Sequence, residues 1–412
     1  MRIAIITSSA RLAGGVERFV EHAASVLLAR GHELSLWYET DEPSSRPRLA
    51  LGTSVEAHEL HRSSAAGRIS AWHPDVLFAH GIDDRHLEHA LLTSRPSVFV
   101  VQNYDGACVS GTKTWAVEPL RPCNRILDAG CLLHYYPHRC GGLSPLTALR
   151  LYRRATLRRD TLVACSRIIV MSEHMRRECT RHGLDPARVI VVPPVADAVS
   201  SRERSPFGRA TRPLRLVFLG RLEAGKGVFL LLRSMPLAAD ALGQPLSLTI
   251  AGDGRDLGRL REAAARYGAD GRVEIRFTGW LDGDARDRLF DHSDLFVFPS
   301  VWPEPFGLSG LEAASRGLPA VAFDTGGVRE WLRPGATGLL APGDPPTAEG
   351  LAAAIIGCLQ DPTRTRQMGA AARRLAAEFT AERHAAALEG VLCAAAGQPV
   401  QPARTHAAAV GH

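Results

Sequence analysis

Two basic residues stand where a predicted strand gives way to a predicted helix, a place at which parallel α/β proteins bind ligands. Arg221 and Lys226 occupy the loop between a strand predicted at 214–219 and a helix predicted at 228–239. The free N–H groups and the dipole of a helix N-terminus favour an anion, and two cations beside them predict a diphosphate site. Lys226 is one of only two lysines in a chain of 49 Lys and Arg residues. Taken alone, either cation could be a solvated residue of the first helical turn.

Two acidic residues, Glu304 and Glu312, follow a strand predicted at 295–298. Pro303 and Pro305 confine Glu304 to an extended loop, while Glu312 lies about one turn inside a helix that begins near Gly307. A carboxylate accepts two hydroxyl hydrogen bonds at once, so both residues could bind the vicinal diols of a sugar or a ribose. A surface acid and a helix-dipole stabiliser are the alternative interpretations.

The elements that must position these loops form an α/β pattern. Short β-branched runs alternate with helical patterns, which indicates parallel βα units. The pattern stops in a proline-rich and charged stretch at 193–213, which predicts a domain boundary. We therefore expect two Rossmann-like, doubly wound domains that face a central cleft. The predicted boundaries are an N-terminal domain at 1–195 with a cysteine-bearing insertion at 103–145, a linker at 196–213, a second domain at 214–378, a C-terminal helix at 379–395 and a disordered tail at 396–412.

The composition excludes several classes of protein. The 412 residues carry a formal net charge of +6, with 45% hydrophobic and 22% charged residues, which is ordinary for a globular protein. This charge is too small to predict a nucleic-acid partner, and no basic run is interleaved with aromatic residues. No stretch approaches the roughly 18 to 20 apolar residues of a membrane span, and no signal peptide precedes the first predicted strand. We therefore expect a cytoplasmic protein.

The chain contains three motifs, Gly14-Gly15-Val16-Glu17-Arg18, Gly220-Arg221 followed by Lys226-Gly227, and the E-x7-E pair Glu304 and Glu312. These motifs resemble those of the retaining family 4 glycosyltransferases, or glycosyl transferases group 1, which have the GT-B fold. The resemblance spans roughly residues 1 to 390 in motif order. It implies that the C-terminal domain binds a nucleotide diphosphate sugar, that the N-terminal domain binds the acceptor, and that transfer occurs in the cleft.

The same resemblance implies roles for individual residues. Arg221 and Lys226 would hold the diphosphate, Glu312 would bind the ribose hydroxyls, and Glu304 would bind hydroxyls of the donor sugar. Gly252 follows another predicted strand, where a glycine loop suits close approach to a flat base. Gly14 and Gly15 would approach the β-phosphate of the donor or the acceptor. The other residues expected to contact the donor are Gly279, Trp280, Leu281, Phe306, Gly307 and Leu308.

The resemblance also implies a mechanism. No cofactor and no divalent metal are expected, because the two cations would stabilise the charge that develops on the departing β-phosphate. The acceptor would attack on the same face of the sugar with retention. His80 matches a cleft histidine that lies near the donor sugar in relatives, although it could equally be a structural polar residue. Many relatives carry a second histidine where this chain has Gln102, which removes a titratable group.

Two features of the first domain lie outside these motifs. Cys108, Cys123, Cys131 and Cys140 lack the C-x2-C pairing typical of structural zinc, so buried cysteines are favoured over a zinc site. The segment 144–160 is expected to form an amphipathic helix that could bind an anionic membrane surface, or could be a plain solvated helix. Its arginines are Arg150, Arg153, Arg154, Arg158 and Arg159.

The predicted function is therefore transfer of a hexose from a nucleotide diphosphate sugar, with UDP or GDP as the nucleotide, to an acceptor hydroxyl. We expect a role in cell-envelope or exopolysaccharide synthesis, with a glycan, lipid-linked or small-molecule acceptor, and a location in the cytoplasm or at the inner face of the membrane. Glycosylation of a soluble natural product is the nearest variant. A GT-B-like sugar-nucleotide epimerase and a non-catalytic nucleotide-sugar binder are the alternatives from other classes. The sequence leaves the nucleotide, sugar, acceptor, linkage and oligomeric state open.

Overall fold

Two parallel sheets form the framework of the protein. The computed structural model describes residues 1–12, 15–41, 47–118, 120–196, 213–268, 271–281 and 283–399. Helices lie between most of the successive strands, as the alternating pattern predicted. The predicted domain boundaries remain a prediction. Most of the predicted linker (197–212) and of the predicted tail (400–412) lies outside the described residues.

The first sheet has seven strands in the order β3-β2-β1-β4-β5-β8-β9. A separate hairpin is formed by β6 and β7. The strands of this half of the chain are β1 (Arg2–Ser9), β2 (Glu33–Thr40), β3 (Glu56–Glu59), β4 (Val76–Ala79), β5 (Ser97–Val101), β6 (Thr114–Trp115), β7 (Arg121–Pro122), β8 (Arg167–Val170) and β9 (Val189–Val191).

The second sheet has six strands in the order β12-β11-β10-β13-β14-β15. Its strands are β10 (Leu214–Leu219), β11 (Leu246–Ala251), β12 (Val273–Gly279), β13 (Leu295–Phe298), β14 (Ala320–Phe323) and β15 (Gly338–Ala341).

The helices of the first half are α1 (Gly15–Ala29), α2 (Ala65–Ala71), α3 (Arg85–Ser94), α4 (Gly130–His134), α5 (Pro145–Ala164) and α6 (Glu173–Arg181). Those of the second half are α7 (Val228–Leu242), α8 (Leu257–Tyr267), α9 (Gly283–Asp291), α10 (Leu308–Ser315), α11 (Ala348–Leu359), α12 (Pro362–Ala376) and α13 (Ala381–Ala396). None of these described helices is both long and apolar enough to cross a membrane.

The strand order fixes where a ligand can bind. In the first sheet the order reverses between β1 and β4, and in the second it reverses between β10 and β13. The loops that leave neighbouring strands run to opposite faces at such a switch point, which opens a crevice at the carboxyl ends of the strands. The loop containing Lys226 follows β10, and the loop containing Glu304 follows β13. The sheet topology therefore brings the two loops together.

Two segments tie the halves of the chain to each other and to the insertion. Helix α13 packs against β4, β5 and β8 of the first sheet. Its Glu389 pairs with Arg30 at 2.6 Å and lies 3.0 Å from His32. Between β5 and β8, the segment around α4 and the helix α5 share a small core of their own, formed by Val109, Leu127, Tyr135, Ala148 and Ala155.

Candidate active site

Two loops of the second sheet meet where β10 and β13 end. The carbonyl oxygen of Gly225 accepts hydrogen bonds from the backbone N–H groups of Val301 and Trp302, both at 3.0 Å. Gly227 caps α7 with φ 67°, and a Cβ at this position would lie 1.8 Å from the carbonyl oxygen of Pro299. Only glycine allows such a close approach in this conformation.

This contact brings Lys226 and Glu304 together. The Lys226 ammonium donates a hydrogen bond to Oε1 of Glu304, which also accepts one from the Ser300 hydroxyl at 3.0 Å. The ammonium also lies 4.7 Å from the ring centroid of Trp302. The two charged side chains are only 16% and 8% exposed, so water screens their interaction weakly. A ligand phosphate at this place would compete with Glu304 for the ammonium.

The N-terminus of α10 faces the same place. Gly307 precedes the helix with φ 93°, and a Cβ here would lie 3.1 Å from the rings of Phe298 and Trp331. Nε1 of Trp331 donates to the carbonyl oxygen of Phe306 at 2.8 Å, which fixes the entry to the helix. The first N–H groups of a helix lack intrahelical partners, so those that begin at Leu308 can bind an anion.

Glu312, in the second turn of α10, has a basic partner that the sequence analysis did not predict. The Arg286 guanidinium on α9 donates to Oε1 of Glu312 at 3.0 Å. The guanidinium also contacts the neighbouring Asp287 carboxylate at 3.4 Å. The Glu312 side chain is 22% exposed, so it remains accessible from the cavity that it lines. Arg286 therefore orients the carboxylate predicted to bind ribose.

A cavity of about 490 Å³ lies between the two sheets at these loops. This volume lies within the usual range for small-molecule sites. The predicted site residues that line it are Gly15, Lys226, Glu304, Phe306, Gly307, Leu308 and Glu312. The described residues that do not line it are His80, Arg221, Gly252, Gly279, Trp280 and Leu281. Gly14 lies outside the described residues.

Arg221 differs in position from Lys226. Its side chain is 61% exposed and its guanidinium lies 3.4 Å from the Glu223 carboxylate. The structure therefore brings Lys226, but not Arg221, to the wall of the cavity. An arginine side chain has several rotatable bonds, so the Arg221 guanidinium can also turn toward the cavity. That Arg221 and Lys226 hold a diphosphate together therefore stays a prediction.

The residues predicted beside the nucleotide base lie at the ends of β11 and β12. The N–H group of Gly252 donates to the carbonyl oxygen of Gly279 at 2.8 Å. A Cβ at Gly252, where φ is 142°, would lie 1.9 Å from the carbonyl oxygen of Gly220. Trp280 is 69% exposed beside them. These residues lie outside the lining of the cavity, and their contact with a base stays a prediction.

The wall from the first half of the chain holds side chains that the site prediction omitted. Arg18 on α1 is exposed at the cavity, and Phe19 and His22 lie beside it on the same helix. His384 reaches the cavity from α13, where its Nδ1 lies 2.7 Å from the carbonyl oxygen of Pro193. A carbonyl oxygen only accepts, so this nitrogen carries the proton.

His80 lies behind this wall. The imidazole is stacked obliquely on Phe19, at 5.5 Å between ring centroids, and its Nδ1 lies 3.3 Å from the amide nitrogen of Gln102. Gln102 itself lines the cavity. Burial lowers the pKa of His80 to about 3, which keeps the ring neutral at physiological pH. This position favours a structural role, in which His80 orients Gln102, over direct contact with a sugar.

The comparisons with known proteins agree with this arrangement. The family model for glycosyl transferases group 1 matches residues 199–375, and that for glycosyltransferase family 4 matches residues 13–199. Glycogen synthase of Mycobacterium tuberculosis is 30% identical over 430 residues, with 94% of this chain and 93% of that protein covered. The chain belongs to the family 4 glycosyltransferases. Another relative of this glycosyltransferase is D-inositol 3-phosphate glycosyltransferase of Thermomonospora curvata, which is 26% identical with 90% of this chain and 89% of that protein covered.

Solved structures confirm the GT-B fold of this family 4 glycosyltransferase. Anabaena HepE, solved in complex with UDP-glucose, superposes with a TM-score of 0.66 at 19% identity, covering 95% of this chain and 99% of that one. Sucrose-phosphate synthase from Thermosynechococcus elongatus superposes with a TM-score of 0.67 at 19% identity, covering 93% and 96%.

The arginine-rich helix of the glycosyltransferase, α5, differs from the sequence-based expectation. Arg158 is only 4% exposed and pairs with the buried Glu88 at 2.7 Å. Arg154 pairs with Asp83 at 2.6 Å. Part of the helix therefore packs against α3 and pairs its charges there, and binding of the helix to a membrane surface stays a prediction. Arg150 and Arg153 remain exposed.

The four cysteines of the insertion are free thiols. The pKa of the Cys140 thiol is raised to about 12, chiefly by burial and further by the nearby Cys108, Cys123 and Cys131. Over the described part of the chain, which includes all four, no group of three or more His, Cys, Asp or Glu residues could hold a metal ion.

Proposed function

We propose that this glycosyltransferase moves a hexose from a nucleotide diphosphate sugar to an acceptor hydroxyl with retention of configuration. The observation that carries the proposal is the Lys226 and Glu304 pair, which is set between two helix N-termini in the wall of the cavity. A diphosphate would displace the Glu304 carboxylate from the Lys226 ammonium. The released carboxylate would then accept hydrogen bonds from hydroxyl groups of the donor sugar. Glu312 would bind the ribose. The binding of UDP and UDP-glucose by a protein of the same fold makes UDP the first nucleotide to test.

In the proposed reaction the bond between the anomeric carbon and the β-phosphate oxygen breaks, and a bond from the acceptor oxygen forms on the same face. The acceptor proton passes to the departing phosphate oxygen. Negative charge grows on that phosphate as it leaves, so Lys226 and the N–H groups at the start of α10 stabilise the transition state more than the ground state. We propose that these groups, with Arg221 if it turns inward, take the place of a divalent metal.

A nucleotide panel tests the donor proposal. Ligand binding raises the melting temperature by mass action, so UDP, GDP, ADP and dTDP are compared by thermal shift, each with and without EDTA. The nucleotide with the largest shift is then supplied as its glucose ester, and release of the diphosphate is measured. We expect turnover that EDTA leaves unchanged. We also expect a product whose anomeric coupling constants in NMR show the same anomeric configuration as the donor. Absence of any shift for all four diphosphates would reject the proposal.

We further propose that the acceptor is a lipid-linked glycan of the cell envelope at the inner face of the membrane. Of the ten large hydrophobic residues that are exposed in the described part of the chain, six lie between 126 and 149. Leu133, Leu143 and Leu146 are 80%, 86% and 78% exposed. Exposed apolar residues beside cations are typical of surfaces that bind anionic lipid. The exposed arginines in the same region are Arg139, Arg150 and Arg153.

Vesicle co-sedimentation tests the membrane contact. The protein is mixed with vesicles of phosphatidylcholine alone and with vesicles that contain phosphatidylglycerol. We expect binding to the anionic vesicles, and its loss when Leu133, Leu143 and Leu146 are replaced together by serine. Leu237→Ser is the control, since Leu237 is 42% exposed but belongs to α7 in the second half of the chain. Failure of the parent protein to bind either kind of vesicle would instead favour a soluble acceptor. Equal binding by the triple variant and the parent protein would show that these leucines do not make the contact.

A further inference from the structure

The backbone on either side of Glu304 is held by two hydroxyl groups from the other half of the chain. The Tyr104 hydroxyl, in the loop after β5, donates to the carbonyl oxygen of Pro303 at 2.5 Å. The Ser172 hydroxyl, in the loop after β8, donates to the carbonyl oxygen of Pro305 at 2.5 Å. Both hydrogen bonds are buried and cross from the first sheet to the loop that follows β13.

The carbonyl group between these two is held as well, but from within the second half. The N–H group of Gly327 donates to the carbonyl oxygen of Glu304 at 2.7 Å. A Cβ at Gly326 would lie 2.4 Å from that oxygen, and a Cβ at Gly327 would lie 2.5 Å from the carbonyl oxygen of Pro305. Three consecutive peptide carbonyls are therefore fixed, two of them by the first half of the chain. Since the peptide planes are fixed, the direction of the Glu304 side chain is restricted too.

The two hydroxyl groups are themselves fixed. A phenol has one proton, and Tyr104 gives it to Pro303, so the Nε2 of His174, 2.7 Å from the phenol oxygen, must donate. Burial lowers the pKa of His174 to about 4, so the ring is neutral with its proton on Nε2. The Ser172 oxygen accepts from the N–H group of Met175 at 3.1 Å and so caps α6. Each hydroxyl therefore has one available orientation.

The loop that carries Tyr104 also forms part of the cavity wall that comes from the first half of the chain. Gln102, two residues earlier, lines the cavity and contacts His80. A displacement of this loop would release Pro303 and move the wall at the same time. We propose that Tyr104 and Ser172 are positioning residues, which orient the Glu304 carboxylate for the donor sugar only when the two halves of the chain are in contact. This inference rests on the proposed function, because it needs Glu304 to bind the donor sugar.

The test compares Tyr104→Phe with Tyr135→Phe. Both substitutions remove one buried phenol hydroxyl, but within the described residues the hydroxyl of Tyr135 has no hydrogen-bond partner. The probes are the diphosphate with the largest thermal shift in the panel above and its glucose ester, titrated by calorimetry. Only the ester carries the sugar that Glu304 would bind. We expect Tyr104→Phe to keep diphosphate affinity within about twofold and to lose about tenfold in ester affinity or in kcat. We expect Tyr135→Phe to match the parent protein in both.

A double-mutant cycle shows whether Tyr104 acts through Glu304. If it does, Tyr104→Phe should have little further effect on kcat/KM once Glu304→Gln is present. Ser172→Ala should resemble Tyr104→Phe, and Ser172→Thr, which keeps the hydroxyl, should restore most of the lost activity. Equal losses for diphosphate and ester, or full additivity with Glu304→Gln, would reduce the two residues to general structural contacts and overturn the proposal. If the parent protein binds no diphosphate, the proposed function fails instead.

Discussion

Removal of the Lys226 ammonium should separate two effects, one on catalysis and one on stability. Lys226→Ala deletes the charge that would stabilise the departing phosphate, and the loss of one such group typically costs on the order of 100-fold or more in kcat. It also leaves the Glu304 carboxylate, whose side chain is 8% exposed, with only the Ser300 hydroxyl among the partners seen in the structure. Breaking a buried pair in this way costs about 3 kcal/mol.

A second substitution, at Glu304, distinguishes the effect on catalysis from the effect on stability. A double variant, Lys226→Met with Glu304→Gln, has no unpaired charge and should recover most of the lost stability while remaining inactive. For Lys226→Ala alone, about 3 kcal/mol corresponds to a melting temperature lower by roughly 6 to 12 °C, on the scale of a domain of roughly 150 to 250 residues.

Two measurements check this prediction. Differential scanning fluorimetry without ligand gives the order of stability, and release of the nucleoside diphosphate at saturating donor gives kcat. Gly225→Ala serves as a control in the same loop, because its Cβ would lie at an ordinary 3.5 Å from Trp302. A folded Lys226→Ala protein that keeps more than about a third of the parental turnover would falsify the assignment of Lys226 to the leaving phosphate.

Three further predictions concern neighbouring groups. Gly227→Ala should sharply lower both stability and turnover in the same assays, because φ is 67° and the new methyl group would collide with a backbone carbonyl. A variant with the melting temperature of the parent protein would contradict this loop geometry. Arg286→Ala should weaken nucleoside diphosphate affinity about threefold to tenfold by calorimetry, because it releases Glu312, and Arg288→Ala on the exposed side of the same helix should not. Burial lowers the pKa of His174 to about 4 in the folded protein, against a value near 6.5 in the unfolded chain. Between these two pH values the unfolded chain binds one proton more than the folded protein. The free energy of unfolding therefore falls as the pH drops through this range, by about 2 kcal/mol at pH 5. His174→Gln should flatten this part of the denaturation profile, and an unchanged slope would show that other groups cause it.

The local sequence carried enough information to predict where the charged residues of the second-half loops lie along the strands and helices. Lys226, Glu304 and Glu312 are fixed to strand ends or helix starts by glycine and proline, and these residue types limit the backbone whatever surrounds it. The alternation of strand and helix patterns likewise predicted two parallel sheets, because only parallel units need a helical crossover between strands. Those expectations required no knowledge of distant contacts.

The tertiary structure alone decided which charges face the cavity. Arg221 and Lys226 are five positions apart on one loop, yet only Lys226 is drawn inward, because the Gly225 carbonyl is bound by the loop that carries Glu304. The burial of Arg158 was equally out of reach, since its partner Glu88 lies 70 residues away and periodicity cannot separate a solvated charge from a paired one.

The cavity wall from the first half of the chain shows most clearly which contacts the local sequence could not predict. His384 reaches the site from the last helix, and Tyr104 reaches the Pro303 carbonyl across 199 residues of sequence. Local pattern predicted the kinds of element and the loops that carry the charged residues, because both depend on residues a few positions apart. The contacts across the cleft depend on how the two sheets and α13 bury their apolar faces together. This burial involves residues from the whole chain, so only the folded protein shows which elements meet.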